Sequence, residues 1–240
     1  MTGTGGSDGD LLRTDLDDGV LTLTIARPEA KNALTLAMRQ QIERVCAQVD
    51  ADDDVAVVVL AAVDPVFCAG ADIKEIAALG AALPPTNPGA ALRAVRKPVI
   101  GAVNGACVSG GLELALSCDW IIASEQAFFA DTHARLGVLP RWGLSALLPR
   151  AVGVRLAKEM TATGRRVPAA EALRAGLVTH VVPHTELADR VRQSARAAAN
   201  TDRAALAASL ALYDAGDGTE EALLRERERA LAWAPPPTFG

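Results

Sequence analysis

Residues 104–119 read NGACVSGGLELALSCD. Two adjacent glycines, Gly110 and Gly111, stand where an apolar helix begins, and one carboxylate, Glu113, follows between Leu112 and Leu114. Glycine weakens a helix, and a carboxylate is costly to bury without partners. The glycines fit no nucleotide-binding pattern: Gly105 and Gly110 are wrongly spaced for G-x-G-x-x-G, and no Gly-Lys-Ser/Thr follows. Cys107 stands where a G-x-S-x-G elbow centred on Ser109 needs glycine. Two readings stay open. One is tight packing of a helix on a strand. The other is a bare helix N-terminus whose N–H groups can approach a developing anion.

A second stretch repeats the arrangement. In VFCAGADIKE, residues 66–75, a buried strand runs into Ala-Gly-Ala and then into a helix that starts at Asp72. Two such turns side by side would aim two N–H donors at one oxygen, which is what an oxyanion hole requires. Glu113 has a plain reading as a first-turn carboxylate that meets the helix dipole. With Ser109 as N-cap, however, the capping-box position is Leu112, so Glu113 is not a capping partner. A carboxylate in a buried helix beside a substrate site is a candidate base.

Working outward, DDG at 17–19 is a turn between two short extended runs, and VLTLTIA alternates as a half-buried strand does. Thr35 caps a helix with Leu36, Ile42, Val45, Cys46 and Val49 at helical spacing. VAVVVLAA is apolar throughout, as in a strand covered on both faces. LGAALPPTNPG reads as a Pro/Gly loop. KPVIGAVNG and CDWIIAS are further strands, and PAAEALRAG is a helix with Pro at N1. LVTHVVP is a last strand, and residues 185–233 are helical. Strand, turn and helix recur at 55–79 and 98–117, the pattern of a parallel sheet with crossover helices.

The bulk numbers fit an enzyme-sized core. The chain has 240 residues, half of them hydrophobic, with 24 basic and 29 acidic side chains, so it lacks the basic footprint of a nucleic-acid binder. Four scattered cysteines, without a C-x-x-C pair, read as reduced packing thiols. His180 and His184 flank Pro183 and lack a third ligand, so no metal is expected. The first ten residues read as a floppy tail without signal-peptide features, and no apolar run is long enough to span a bilayer. Cytoplasmic location is the expectation.

RPEAKNALT (27–35), FCAGADIKE (67–75), NGACVSGGLELALSCD, LGVLP (136–140) and GRRVPAAEALRAGLVTHVVP (164–183) occur in this order. Together they resemble the successive motifs of the enoyl-CoA hydratase/isomerase (crotonase) family. The resemblance implies an α/β fold, a crotonase-like ββα superhelix over 11–184. It also implies a C-terminal helical trimerisation region over 185–233, between the tails 1–10 and 234–240. The substrate implied is an acyl-CoA thioester, with CoA as part of the substrate and no separate cofactor. Ala71 and Gly110 match the oxyanion donors, and Glu113 matches one of two catalytic glutamates. Ala69, Ala71, Asp72, Ile73, Lys74 and Gly110, with Lys31 nearby, match the CoA-binding positions. The assembly implied is a homotrimer or a dimer of trimers.

The sequence departs from the family pattern twice. Counted back from LGVLP, the second glutamate falls on His133, in ADTHARLGVLP. Imidazole can donate or accept a proton near neutrality, whereas the plain reading makes His133 a pocket lining. Asp131, two residues away, is offset from the matching position. The C-terminus, ALAWAPPPTFG, ends in a Pro-rich tail in place of the family's usual last helix. The reading favoured is an enoyl-CoA hydratase with Glu113 and His133 as its acid–base pair. The competitors are a double-bond isomerase, a non-catalytic acyl-CoA-binding homologue and a serine hydrolase using Ser109.

Overall fold

A computed structural model describes residues 11–80, 84–214 and 219–232. The N-terminal tail, residues 81–83 of the Pro/Gly loop and the Pro-rich C-terminal tail lie outside the described residues.

The chain opens with a hairpin of β1 (Leu12–Asp17) and β2 (Val20–Ile25), turned by Asp18 and Gly19, both at positive φ. Helix α1 (Leu36–Val49) follows, capped by the Thr35 side chain, which accepts from the Met38 N–H at 3.2 Å. Then come β3 (Val57–Ala62), β4 (Val66–Cys68), α2 (Ile73–Leu79) and α3 (Pro88–Ala94). Next are β5 (Val99–Val103), β6 (Ala106–Val108), α4 (Gly110–Ala115), β7 (Trp120–Ser124) and β8 (Phe128–Ala130). The remainder is α5 (Leu144–Thr163), β9 (Val167–Pro168), α6 (Ala169–Arg174), β10 (His180–Val182), α7 (Leu187–Ala199), α8 (Arg203–Asp214) and α9 (Thr219–Ala232).

Two sheets form. The larger has the order β1-β2-β3-β5-β7-β10, parallel except for the opening hairpin. The smaller is β4-β6-β8-β9, with β4, β6 and β8 parallel. Each small-residue turn is therefore preceded by two strands, where the sequence showed one. β3 and β5 lie in the large sheet, and the chain then bends into a short strand of the second sheet before turning. The bends touch: a Cβ on Gly105 would overlap the Pro65 carbonyl oxygen. This is the ββα repeat.

Both faces of the large sheet are covered, as the continuous β-branched run of β3 implies. On one face Leu23, Ile25, Val58 and Leu60 join Met38, Ile42 and Leu92. On the other, Val20, Val57, Val59, Ile100 and Ile122 pack on Leu187, Val191 and Ala195 of α7. Packing thus joins α7 to the large sheet.

Two local readings are corrected. Pro88, placed in a loop by the sequence, begins α3 at N1, with Asn87 Oδ1 accepting from the Ala90 N–H at 2.8 Å. Pro168 is the N-cap of α6 rather than N1, because it also closes β9 against Phe128.

The smaller sheet positions the functional residues. Its parallel register sets Val66 beside Ala106 and Ala106 beside Phe128. The carboxyl ends of β4, β6 and β8 therefore lie side by side. The residues just past them are Ala69–Ala71, Ser109–Glu113 and Asp131–His133.

Candidate active site

The two turns do meet. A Cβ built on Gly110 would sit 3.1 Å from Gly70 Cα and 3.3 Å from the Ala71 nitrogen. The Ala71 N–H is turned away from the bridge that holds its segment. That bridge uses its neighbours, with Leu34 N–H donating to the Gly70 carbonyl at 2.8 Å and Asp72 N–H to the Leu34 carbonyl at 3.0 Å. Gly110 is the first residue of α4, where a backbone N–H has no intrahelical acceptor. Two adjacent backbone donors thus remain to face one oxygen.

The turn before Gly110 is strained. Ser109 has φ 49° and ψ −112°, outside the regions a side chain prefers. Its hydroxyl does not cap α4. It accepts from the Thr132 N–H at 3.0 Å and bonds the Thr132 hydroxyl at 2.7 Å, and the Ser109 N–H donates to the Ala130 carbonyl at 2.9 Å. The strain is held by these bonds, which also fasten the oxyanion turn to the loop that carries His133. The two glycines have separate reasons. A Cβ on Gly111 would overlap the Cys68 carbonyl oxygen, so Gly111 serves packing, whereas Gly110 borders the donor pair.

Glu113 is 2% exposed. Its Oε1 accepts from the Trp142 N–H at 2.6 Å and from the Leu144 N–H at 3.4 Å, so two amides fix the carboxylate. Its Oε2 faces His133 Nε2 at 3.5 Å. His133, 8% exposed, has its other ring nitrogen 2.7 Å from Asp131 Oδ1, which also accepts from the His133 backbone N–H at 3.0 Å. Asp131 is fully buried. Burial alone would lower the His133 pKa. The hydrogen bonds and charges of Asp131 and Glu113 outweigh it and push the imidazole up to about 9. Burial likewise works to raise Asp131, and the bonds to His133 more than offset it, leaving its pKa lowered. The raised imidazole and the lowered Asp131 carboxyl favour an imidazolium paired with the Asp131 carboxylate.

The segments expected near CoA meet at the same edge. The Ala69 N–H donates to the Lys31 carbonyl at 3.1 Å, and the Lys31, Ile73 and Lys74 side chains are exposed. The Asp72 carboxylate is engaged elsewhere. It caps α2 through the Lys74 N–H at 2.9 Å and the Glu75 N–H at 3.2 Å, and it pairs with Arg27 at 2.5 Å. Its backbone is engaged too, the N–H with the Leu34 carbonyl and the carbonyl with the Ile76 N–H at 3.0 Å, so Asp72 shapes this edge and leaves the exposed Lys31, Ile73 and Lys74 side chains to face a ligand.

Sequence reasoning set Asp131 aside as offset from the matching position, yet the offset puts it against the far side of the ring. The signal was the spacing: an Asp two residues before a His can bond both its amide and its ring. Trp142 was not singled out at all, and nothing in its local pattern marks it. His180 and His184 go to separate partners, Arg190 and Asp64. The four cysteines are free, and burial pushes Cys46 and Cys68 up to about 12.

A paired backbone donor site beside two buried acid–base groups, at the carboxyl ends of parallel strands, is the arrangement expected of the ββα superhelix that the sequence motifs resemble. The model of the enoyl-CoA hydratase/isomerase family matches residues 15–232, and the chain belongs to that family. Among curated relatives, it is 42% identical over 187 residues to a probable enoyl-CoA hydratase of Mycobacterium leprae, covering 76% of this chain and 70% of that one. It is 40% identical over 168 residues to the 2,3-dehydroadipyl-CoA hydratase of Escherichia coli, covering 68% and 66%. The crystal structure of an enoyl-CoA hydratase from Mycobacterium tuberculosis superimposes with a TM-score of 0.85 at 49% identity, covering 93% and 95%.

Proposed function

We propose that this chain is an enoyl-CoA hydratase that adds water across the 2,3 double bond of a 2-enoyl-CoA. The observation that carries the reading is the buried pair Glu113 and His133, facing each other at 3.5 Å and each fixed from behind. An isomerase needs one base to shuttle one proton, whereas hydration needs a group to take a proton from water and a group to give one to carbon.

The thioester oxygen docks against the N–H groups of Ala71 and Gly110. Glu113, held in place by two amide donors, takes a proton from water as the water oxygen bonds to C3. The C2=C3 electrons move toward C1 and the thioester oxygen, where the two N–H groups meet the developing enolate. C2 then takes the Nε2 proton of the imidazolium, and the electrons return from oxygen to form that C–H bond. Glu113 now holds a proton and His133 lacks one. At 3.5 Å the proton can return from one to the other and reset the site. Asp131 keeps Nδ1 protonated and the ring oriented throughout. The step balances without a metal or redox cofactor.

A homo-oligomer is part of the proposal. Tyr213 of α8 and Leu224 and Leu231 of α9 are exposed apolar side chains, which suits a C-terminal helical region covered by other subunits. Among the described residues no helix is long and apolar enough to cross a membrane, and cytoplasmic location remains part of the proposal.

The test is purified protein with crotonyl-CoA, following loss of the conjugated thioester absorbance and identifying the product. 3-Hydroxybutyryl-CoA supports hydration. A shifted alkene alone supports isomerisation, and binding without turnover supports a non-catalytic homologue.

A further inference from the structure

Trp142 is held on every side. Its backbone N–H donates to Glu113 Oε1 at 2.6 Å, and its carbonyl accepts from Arg93 at 2.9 Å. Its indole N–H donates to the Thr86 carbonyl at 3.0 Å. A Cβ on Gly89 of α3 would press on it, 3.2 Å from Trp142 Cβ, so only glycine fits beneath that helix. The far edge of the ring reaches the site: its Cζ3 is 2.7 Å from the position a Gly110 Cβ would take, and that same position is 3.3 Å from the Ala71 nitrogen. The residue is 5% exposed.

One residue thus spans the donor pair with its ring and the catalytic carboxylate with its backbone. An acyl chain whose oxygen sits at Ala71 and Gly110, and whose C2 and C3 lie between Glu113 and His133, must run alongside that ring. Lengthening the chain past it requires the ring to move. The ring cannot move without breaking the Thr86 bond, its Cβ has no room to shift toward Gly89 of α3, and packed interiors of this kind do not deform continuously. We infer that Trp142 is a fixed wall of the acyl site that restricts the enzyme to short acyl-CoA thioesters. The inference rests on the placement of the thioester given under the proposed function, and it names the substrate class of that site.

The experiment separates the two. Isothermal titration with the saturated thioesters butyryl-CoA, octanoyl-CoA and dodecanoyl-CoA measures the length limit without chemistry. The kcat/KM on the matching 2-enoyl-CoAs measures it with chemistry. For wild type, octanoyl-CoA is expected to bind at least tenfold more weakly than butyryl-CoA. Trp142→Ala keeps the backbone N–H to Glu113, so the ratio should fall toward one or invert, with Trp142→Phe intermediate. Equal affinity of wild type for all three chains overturns the wall. So does an unchanged ratio in folded Trp142→Ala. If Trp142→Ala does not fold, the wild-type series and Trp142→Phe decide. A length limit in binding without turnover of any 2-enoyl-CoA leaves the wall standing and removes the hydratase reading.

Discussion

His133 Nε2 lies 3.5 Å from Glu113 Oε2, while Nδ1 of the same ring lies 2.7 Å from Asp131 Oδ1. One imidazole joins two buried carboxylates, and only one of the three groups was expected at its position by family pattern. Two carboxylates facing each other directly would repel. An imidazolium between them holds the Asp131 carboxyl below its ordinary range and stores the proton the reaction needs.

Glu113→Gln keeps the shape and hydrogen-bonding reach of the side chain and removes the base. Turnover of crotonyl-CoA should fall by about 10²–10⁴-fold, with acyl-CoA affinity nearly unchanged. Steady-state kinetics with titration of butyryl-CoA reads both, and a variant with full kcat removes Glu113 from the mechanism.

The pH–rate profile should lose activity on the alkaline side as His133 gives up its proton, near its raised pKa of about 9. Asp131→Asn removes one of the two charges that hold that proton, so the alkaline limb should move toward neutrality. Its kcat should fall more than its KM changes, and Asp131→Glu should recover part of the loss. A merely structural Asp131 would leave the limb in place.

Stability should follow the same charges. A histidine whose folded pKa lies above the ordinary value of 6.5 contributes stability that is fully present below 6.5 and is lost as pH rises through about 9. The stability difference between wild type and Asp131→Asn, from urea titrations, should therefore be largest near pH 6 and shrink or reverse by pH 9.5. A difference that is constant across that range contradicts the charge pairing.

Gly110→Ala should damage the oxyanion site without touching the acid–base pair. The added Cβ would lie 2.7 Å from the Trp142 ring and 3.3 Å from the Ala71 nitrogen, crowding the place where the thioester oxygen docks. Alanine keeps the N–H, so the loss comes from displacing the oxygen from its donors. The fall in kcat/KM should correspond to no more than the cost of removing one donor in comparable sites, about 2.7–4 kcal/mol of transition-state stabilisation. Normal kinetics in a folded variant would move the oxyanion elsewhere.

Much of this site was legible because the chemistry sits where the sequence changes period. Ala71 and Gly110 follow strands and open helices, and glycine pairs at such joints are visible. Glu113 stood out as a carboxylate in an apolar helix. The second sheet was not legible: β4, β6 and β8 are three residues each, too short for alternation to show, and their existence depends on pairing with one another. Asp131 looked misplaced because sequence position ignores the face a ring presents. Trp142 could not be found at all, since its partners Thr86, Gly89 and Gly110 are brought to it only by tertiary packing.

The central claim is that Glu113 takes a proton from water while His133 delivers one to C2. The most direct measurement is hydration of crotonyl-CoA in deuterated water by wild type and His133→Ala, with products resolved by NMR. Wild type should give 3-hydroxybutyryl-CoA carrying one deuterium at C2, on one face only, and His133→Ala should lose nearly all of that product. Hydration by His133→Ala at the wild-type rate, or a wild-type product with a C3–C4 double bond and no hydroxyl at C3, would contradict the account.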